Sequence, residues 1–163
     1  MAYTTVDDPK IYFNTLLYTG NGSTSHSITG VGFQPDFVWI KRRDAVAGHK
    51  LNDAVRGVNK QLVSNNSNAE DSNTDILTAF GTNGFTLGNN SDVNNGSGTF
   101  VSWNWKAGGS ASSNSDGGTT SSVSANTTAG FSIVSWQGSS SSSNQTIGHG
   151  LGVAPSWILT KNR

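Results

Sequence analysis

The chain has 163 residues, enough for one domain of common size or one smaller domain plus part of another. Ten basic groups balance ten acidic ones and only 12% of residues are charged, which excludes the concentrated cationic surface that nucleic acid requires. With no cysteine there are no disulfide staples and no thiolate metal sites, so stability must come from β pairing, aromatic packing or oligomerisation.

Polarity comes instead from Ser, Thr, Asn and Gly, which favour turns over helix interiors. Five Trp, seven Phe and three Tyr are large enough to anchor a thin aromatic core. Residues 1–10 lack the charged-then-apolar layout of a secretion signal, and no stretch approaches the roughly 20 apolar residues of a membrane span. The expectation is a soluble protein made without secretory export.

No window sustains apolar residues at three-and-four spacing, so strands are expected throughout. Residues 11–18 are aromatic and β-branched and stop at the turn cluster Thr19-Gly20-Asn21-Gly22. A short strand at 26–29 precedes a loop over 30–35. The continuous apolar run Phe37-Val38-Trp39-Ile40 needs cover on both faces and predicts a central strand. Weaker strands follow near 49–54 and 61–64, then a polar loop over 65–73. Strands at 75–80 and 85–87 flank Gly81-Thr82-Asn83-Gly84, where Asn-Gly signals a hairpin turn. Alternation over 100–106 places Val101, Trp103 and Trp105 on one face and Ser102 and Asn104 on the other.

Residues 108–128, dominated by Ser, Gly, Thr and Asn, read as a flexible connector. Pattern then returns. Phe131-Ser132-Ile133-Val134-Ser135-Trp136-Gln137-Gly138 resembles the stretch beginning at Phe13, about 118 positions earlier. Residues 147–163 follow 28–43 with one inserted residue, sharing a pair of glycines, a proline two residues before an aromatic, an apolar run and a basic ending. The expected organisation is a β-sandwich over 1–107, a connector over 108–128 and a partial second repeat over 129–163. Counting strands, the second copy stops about 60 residues short of the first, which suggests a truncated chain. The alternative is that residues 131–163 complete the first domain or a neighbour's sheet as donor strands.

No motif predicts chemistry. Glycoside hydrolysis needs two carboxylates at fixed separation, one of them kept protonated. Asp7, Asp8, Asp36, Asp44, Asp53, Glu70, Asp71, Asp75, Asp92 and Asp116 fall almost entirely in loops or strand ends, where water keeps them ionised. His26, His49 and His149 are far apart and form no ligand pattern. No Gly-x-Ser-x-Gly elbow accompanies the many serines. Gly148-His149-Gly150-Leu151-Gly152 superficially suggests a phosphate loop, but Pro155 and a strand follow where the fingerprint needs a helix. Asp92-Val93-Asn94-Asn95-Gly96 echoes a calcium loop without its closing bidentate Glu. Lys41-Arg42-Arg43, after an apolar run, reads as a solvated strand end. Trp39, Trp103, Trp105, Trp136 and Trp157 are expected to fill the core, the alternative being exposed rings stacking on sugars. The expected catalytic, cofactor and metal residues are therefore none, and the chain is expected not to be an enzyme.

Four segments taken together, Gly32-Phe33-Gln34-Pro35-Asp36-Phe37-Val38-Trp39-Ile40-Lys41, Asp53-Ala54-Val55-Arg56-Gly57, Gly84-Phe85-Thr86-Leu87-Gly88 and Val101-Ser102-Trp103-Asn104-Trp105, resemble a tandem domain of structural proteins from marine tailed bacteriophages, cyanophages included. Residues 146–155 carry the same likeness in the second copy. The resemblance implies an all-β, antiparallel β-sandwich of jelly-roll or concanavalin-like type, a place on the virion, and no catalytic residues to carry over. The expected role is a tail fibre or appendage contributing to assembly and host attachment, the alternatives being a capsid decoration protein and a carbohydrate-binding module. Expected partners are other virion proteins, further copies of the chain, as in a trimer, and a host surface glycan, with no nucleic acid and no membrane insertion. The expected location is the virion, assembled in the bacterial cytoplasm.

Overall fold

The computed structural model describes residues 6–139 and 144–163. Among the described residues, helix is confined to a single 3-10 turn at Pro9–Ile11 and a four-residue α1, Ser91–Asn94. Asp8 and Asn90 cap these two through their side chains, the usual use of Asp and Asn at a helix start.

The described residues form twelve strands: β1 Phe13–Thr19, β2 His26–Thr29, β3 Phe37–Arg42, β4 Lys50–Asp53, β5 Lys60–Val63, β6 Asp71–Ser72, β7 Leu77–Gly81, β8 Gly84–Leu87, β9 Thr99–Trp105, β10 Ser112–Asn114, β11 Ser121–Asn126 and β12 Phe131–Trp136. They form a six-stranded sheet in the order β1-β9-β3-β4-β5-β6 and two three-stranded sheets, β2-β8-β7 and β10-β11-β12. Every strand pairing within these sheets is antiparallel. The all-β, antiparallel sandwich expected from the sequence is the fold observed.

The six-stranded sheet and β2-β8-β7 enclose the core. Val38 and Ile40 of β3 and Phe100 of β9 meet Ile28, Leu77, Phe85 and Leu87 of the smaller sheet, with Ile76 and Val93 closing the ends. Tyr18 stacks on Phe100 with ring centroids 5.1 Å apart and donates its hydroxyl to the Val93 carbonyl at 2.9 Å, so its polar tip is satisfied inside. β3 lies between β9 and β4, the central place its apolar run demands.

The hairpin at 81–84 forms, but its turn falls one residue earlier than Asn-Gly suggests. Gly81 pairs with Gly84, leaving Thr82 and Asn83 as the two turn residues. Gly84 serves a different need: it pairs with Thr29 of β2, and a Cβ there would run into the Ile28 carbonyl oxygen.

The stretch expected to be a flexible connector contains β10 and β11. β11 pairs along its length with β12, and Ser121, Val123 and Ser124 are buried. Ser124 Oγ accepts from the Gly108 backbone at 3.0 Å and donates to the Gly109 carbonyl at 2.7 Å. Composition suggested a linker because Ser and Gly bring little apolar surface. The aromatic partner strand β12 supplies the burial those residues lack.

The two loops of like sequence share a pair of left-handed glycines. Gly30 and Gly32 take left-handed φ of +97° and +91°, and Gly150 and Gly152 take +71° and +73°. The backbone bends at 31–33 and 36, and again at 151–153 and 156. Beyond the loops the two segments diverge. Phe37–Arg42 becomes the central strand β3, whereas residues 157–163 form no ladder with any described strand.

Candidate functional site

Strand alternation places Phe37, Trp39 and Lys41 on the face of the large sheet opposite Val38 and Ile40. Antiparallel register extends this outer face across β1 and β9. Phe13 and Phe37 align with Trp105, Thr15 and Trp39 with Trp103, and Leu17 and Lys41 with Val101. Trp103 and Trp105 share a face as expected, but it is the outer one. Trp39, Trp103 and Trp105 are half-buried, and Trp136 and Trp157 are exposed, so none of the five fills the sandwich core.

The reason lies on the inner face, where Ser102 and Asn104 are fully covered. The Asn104 amide donates to the Asn14 carbonyl at 3.0 Å and to Ser102 Oγ at 3.1 Å. Alternation tells which residues share a face. Val38, Ile40 and Phe100 make this the core face, and Asn104 is accommodated there by its bonds to the Asn14 carbonyl and to Ser102.

The outer aromatic face has two parts. At one end Phe131 of β12 stacks on Trp105 with ring centroids 6.0 Å apart and lies 6.0 Å from Phe37, so the small third sheet covers this end. At the other end Trp39 and Trp103 meet edge to face at 6.0 Å, half-buried like Phe37 and Trp105. The Trp39 indole donates to His49 Nδ1 at 2.9 Å. Beside this pair is an open cavity of about 520 Å³ lined by Lys41, Arg43, Asp44, His49 and Asn65, among others.

The basic cluster is therefore divided between faces. Lys41 and Arg43 line the cavity, while Arg42 turns to Asp44 at 2.8 Å and places its guanidinium over the Phe100 ring. The Arg42 hydrogen bond, with a second from the Thr99 backbone, holds the Asp44 carboxyl below its usual range. Burial, helped by the Lys41 charge, lowers His49 and so favours its neutral ring.

Most candidate acids and histidines have structural partners. Asp36, 2% exposed, accepts backbone N–H groups from Ala107 at 2.8 Å and Gly109 at 3.3 Å and a bond from Gln34. It thus fastens the large sheet to the chain leading into β10. The resemblance segment Asp53–Gly57 forms a turn in which Arg56 is held by Asp53, reaches Glu70 at 3.1 Å and donates to the Leu51 carbonyl. Glu70 also receives Arg163 at 2.9 Å. Burial pushes the Glu70 carboxyl up, yet the bonds and charges of Arg163 and Arg56 outweigh it and leave it below its ordinary range. Asp92 pairs with Lys50 at 2.7 Å.

The calcium-loop segment is filled by its own side chain. Asn94 is buried, donates to Asn21, Ser23 and Gly88, and accepts from the Asn21 backbone. Its carbonyl oxygen also lies 2.8 Å from His26 Nδ1. His149 Nδ1 accepts from the Leu151 backbone at 3.2 Å, inside the second-copy loop. Among the described residues no three His, Asp or Glu side chains gather in a way that could hold a metal ion.

Sequence reasoning missed the cavity beside Trp39. Its one visible signal was period-two spacing of Trp39, Lys41 and Arg43, which puts an aromatic ring and two cations on one face.

Fold and site together define a two-sheet antiparallel β-sandwich with an aromatic outer face partly roofed by a third small sheet. The chain belongs to DUF7483, a family described as a domain of unknown function, which matches residues 8–163 and so runs continuously from the sandwich through the third sheet. No curated protein and no solved structure matches the chain.

Proposed function

We propose that this chain is a non-catalytic structural module of a bacteriophage virion, a tail fibre or appendage that contributes to assembly and host-surface attachment. The observation that carries the reading is the recurrence of one loop geometry, Gly30 to Gly32 and Gly150 to Gly152, ahead of two apolar segments of like sequence. A chain that restarts the same pattern is built as an array, and arrays of β modules suit long, rigid surface structures.

The contrast after the loop supports assembly through sheets. Val38 and Ile40 are covered on both sides in β3, whereas Trp157 and Ile158 are 67% and 69% exposed. An apolar stretch with unpaired backbone is a surface on which another strand adds. Contributions from further copies would compensate for a thin core, and a trimer is the expected assembly.

Antibody labelling of phage particles carrying the protein tests this reading. Signal on tail appendages is the expected result, and signal confined to the head lattice would replace it with a capsid decoration role. Light scattering at increasing concentration adds a second check, since a chain that stays monomeric throughout argues against the fibre.

A further inference from the structure

We propose that the cavity beside Trp39 is a binding site for an acidic sugar, a ring bearing a carboxylate within a surface polysaccharide. This deepens the attachment half of the proposed function and rests on it.

The aromatic corner adjoins the cavity through His49, which lines the cavity and is bonded to Trp39. Trp39 and Trp103 form a half-buried aromatic corner on the outer sheet face, the apolar surface that the C–H face of a sugar ring covers. Lys41 follows Trp39 by two residues on the same strand face, and Arg43 lies beyond it at the cavity. Their charges complement a carboxylate, and a guanidinium accommodates its two oxygens in parallel. The acidic group at the rim, Asp44, is already bound to Arg42 and to the Thr99 backbone, so it offsets the two cations less than an unpaired carboxylate would.

His49 supplies the polar contact. Because the indole of Trp39 donates to Nδ1, the neutral ring carries its proton on Nε2 and donates from there to a sugar hydroxyl. The same hydrogen bond fixes the indole plane, so the stacking surface is set before a ligand arrives. The opposite end of the aromatic face lacks this capacity, since Phe131 lies over Trp105 and Phe37.

An alginate oligosaccharide, a polymer of carboxylated sugars, titrated into the full chain while tryptophan fluorescence is followed, tests the site. The expected result is saturable quenching, absent with dextran of equal length, reduced by added salt, and weakened roughly tenfold in Arg43→Gln and again in Lys41→Gln. Thermal unfolding of each variant, expected to be unchanged, separates lost binding from lost folding. No saturable response to alginate, an equal response to dextran, or unaltered binding in both variants would overturn the proposal. Particle labelling is independent of all three outcomes, so failure of the sugar site leaves the structural reading standing and failure of the structural reading is seen separately.

Discussion

Residues 30–42 and 150–163 begin alike and end differently. Both open with two left-handed glycines and bend at matching positions, and both carry a proline two residues before an aromatic. The first then becomes β3, locked between β9 and β4, while the second leaves Trp157, Ile158 and Leu159 exposed. Local sequence is enough to set a tight loop, because positive φ is a property of single residues. A central strand is not local: it exists only where flanking strands complete its hydrogen bonds.

One isoleucine from each segment, Ile40 and Ile158, gives the largest contrast. Ile40→Ala removes a fully buried side chain and should cost about 2–5 kcal/mol in urea unfolding, whereas Ile158→Ala should change stability by no more than about 0.5 kcal/mol. Equal losses would mean that the second segment is packed after all.

Gly84→Ala sets a Cβ against the Ile28 carbonyl oxygen and should cost about 1–3 kcal/mol by forcing β2 from β8. A methyl group at Gly32 or Gly152 would meet only open space, but both positions have left-handed φ, so Ala at either should cost about 1–2 kcal/mol of local strain and no more. Thermal unfolding of the three variants gives that ranking directly.

Asp36→Ser places at this position the residue found at the matching point of the later segment, Ser156. It removes the acceptor of the Ala107 and Gly109 N–H groups, and a loss of about 1–3 kcal/mol is expected. Faster amide exchange at Ala107 should accompany it, showing that this carboxylate fastens the third sheet to the first two.

The smallest effect concerns the tail. Glu70 sits below its ordinary value of 4.5, so the Arg163 contact is fully present above that pH and is lost as pH falls through the depressed folded value. Arg163 is half-exposed, and the contact should contribute less than about 1 kcal/mol. The Arg163 side-chain N–H resonance should broaden on acidification, and at neutral pH in Glu70→Gln.

Much of the sandwich was legible in the sequence because period-two alternation and turn glycines are local signals. β3 was visible in Phe37-Val38-Trp39-Ile40, and β9 in the alternation around Trp103. The inward face was not legible, since bulky Trp residues suggest burial while Asn104 and Ser102 occupy it, Asn104 bonding to the paired strand β1 and to Ser102 within its own strand. β10 and β11 were hidden for a related reason: their Ser-rich sequence is strand only in company with β12. The cavity at Lys41, Arg43 and His49 needed the loop over 43–49 to fold back beside the strand end, which no spacing rule reveals.

Hydrogen–deuterium exchange resolved by residue, run on dilute protein, compares the two segments most directly. The account predicts slow exchange across Phe37–Arg42 and near-intrinsic exchange across 157–162, with protection of the latter rising only as concentration drives strands together. Slow exchange at 157–162 in dilute protein would contradict it, because that segment would then already possess partners such as Phe37–Arg42 finds in β9 and β4.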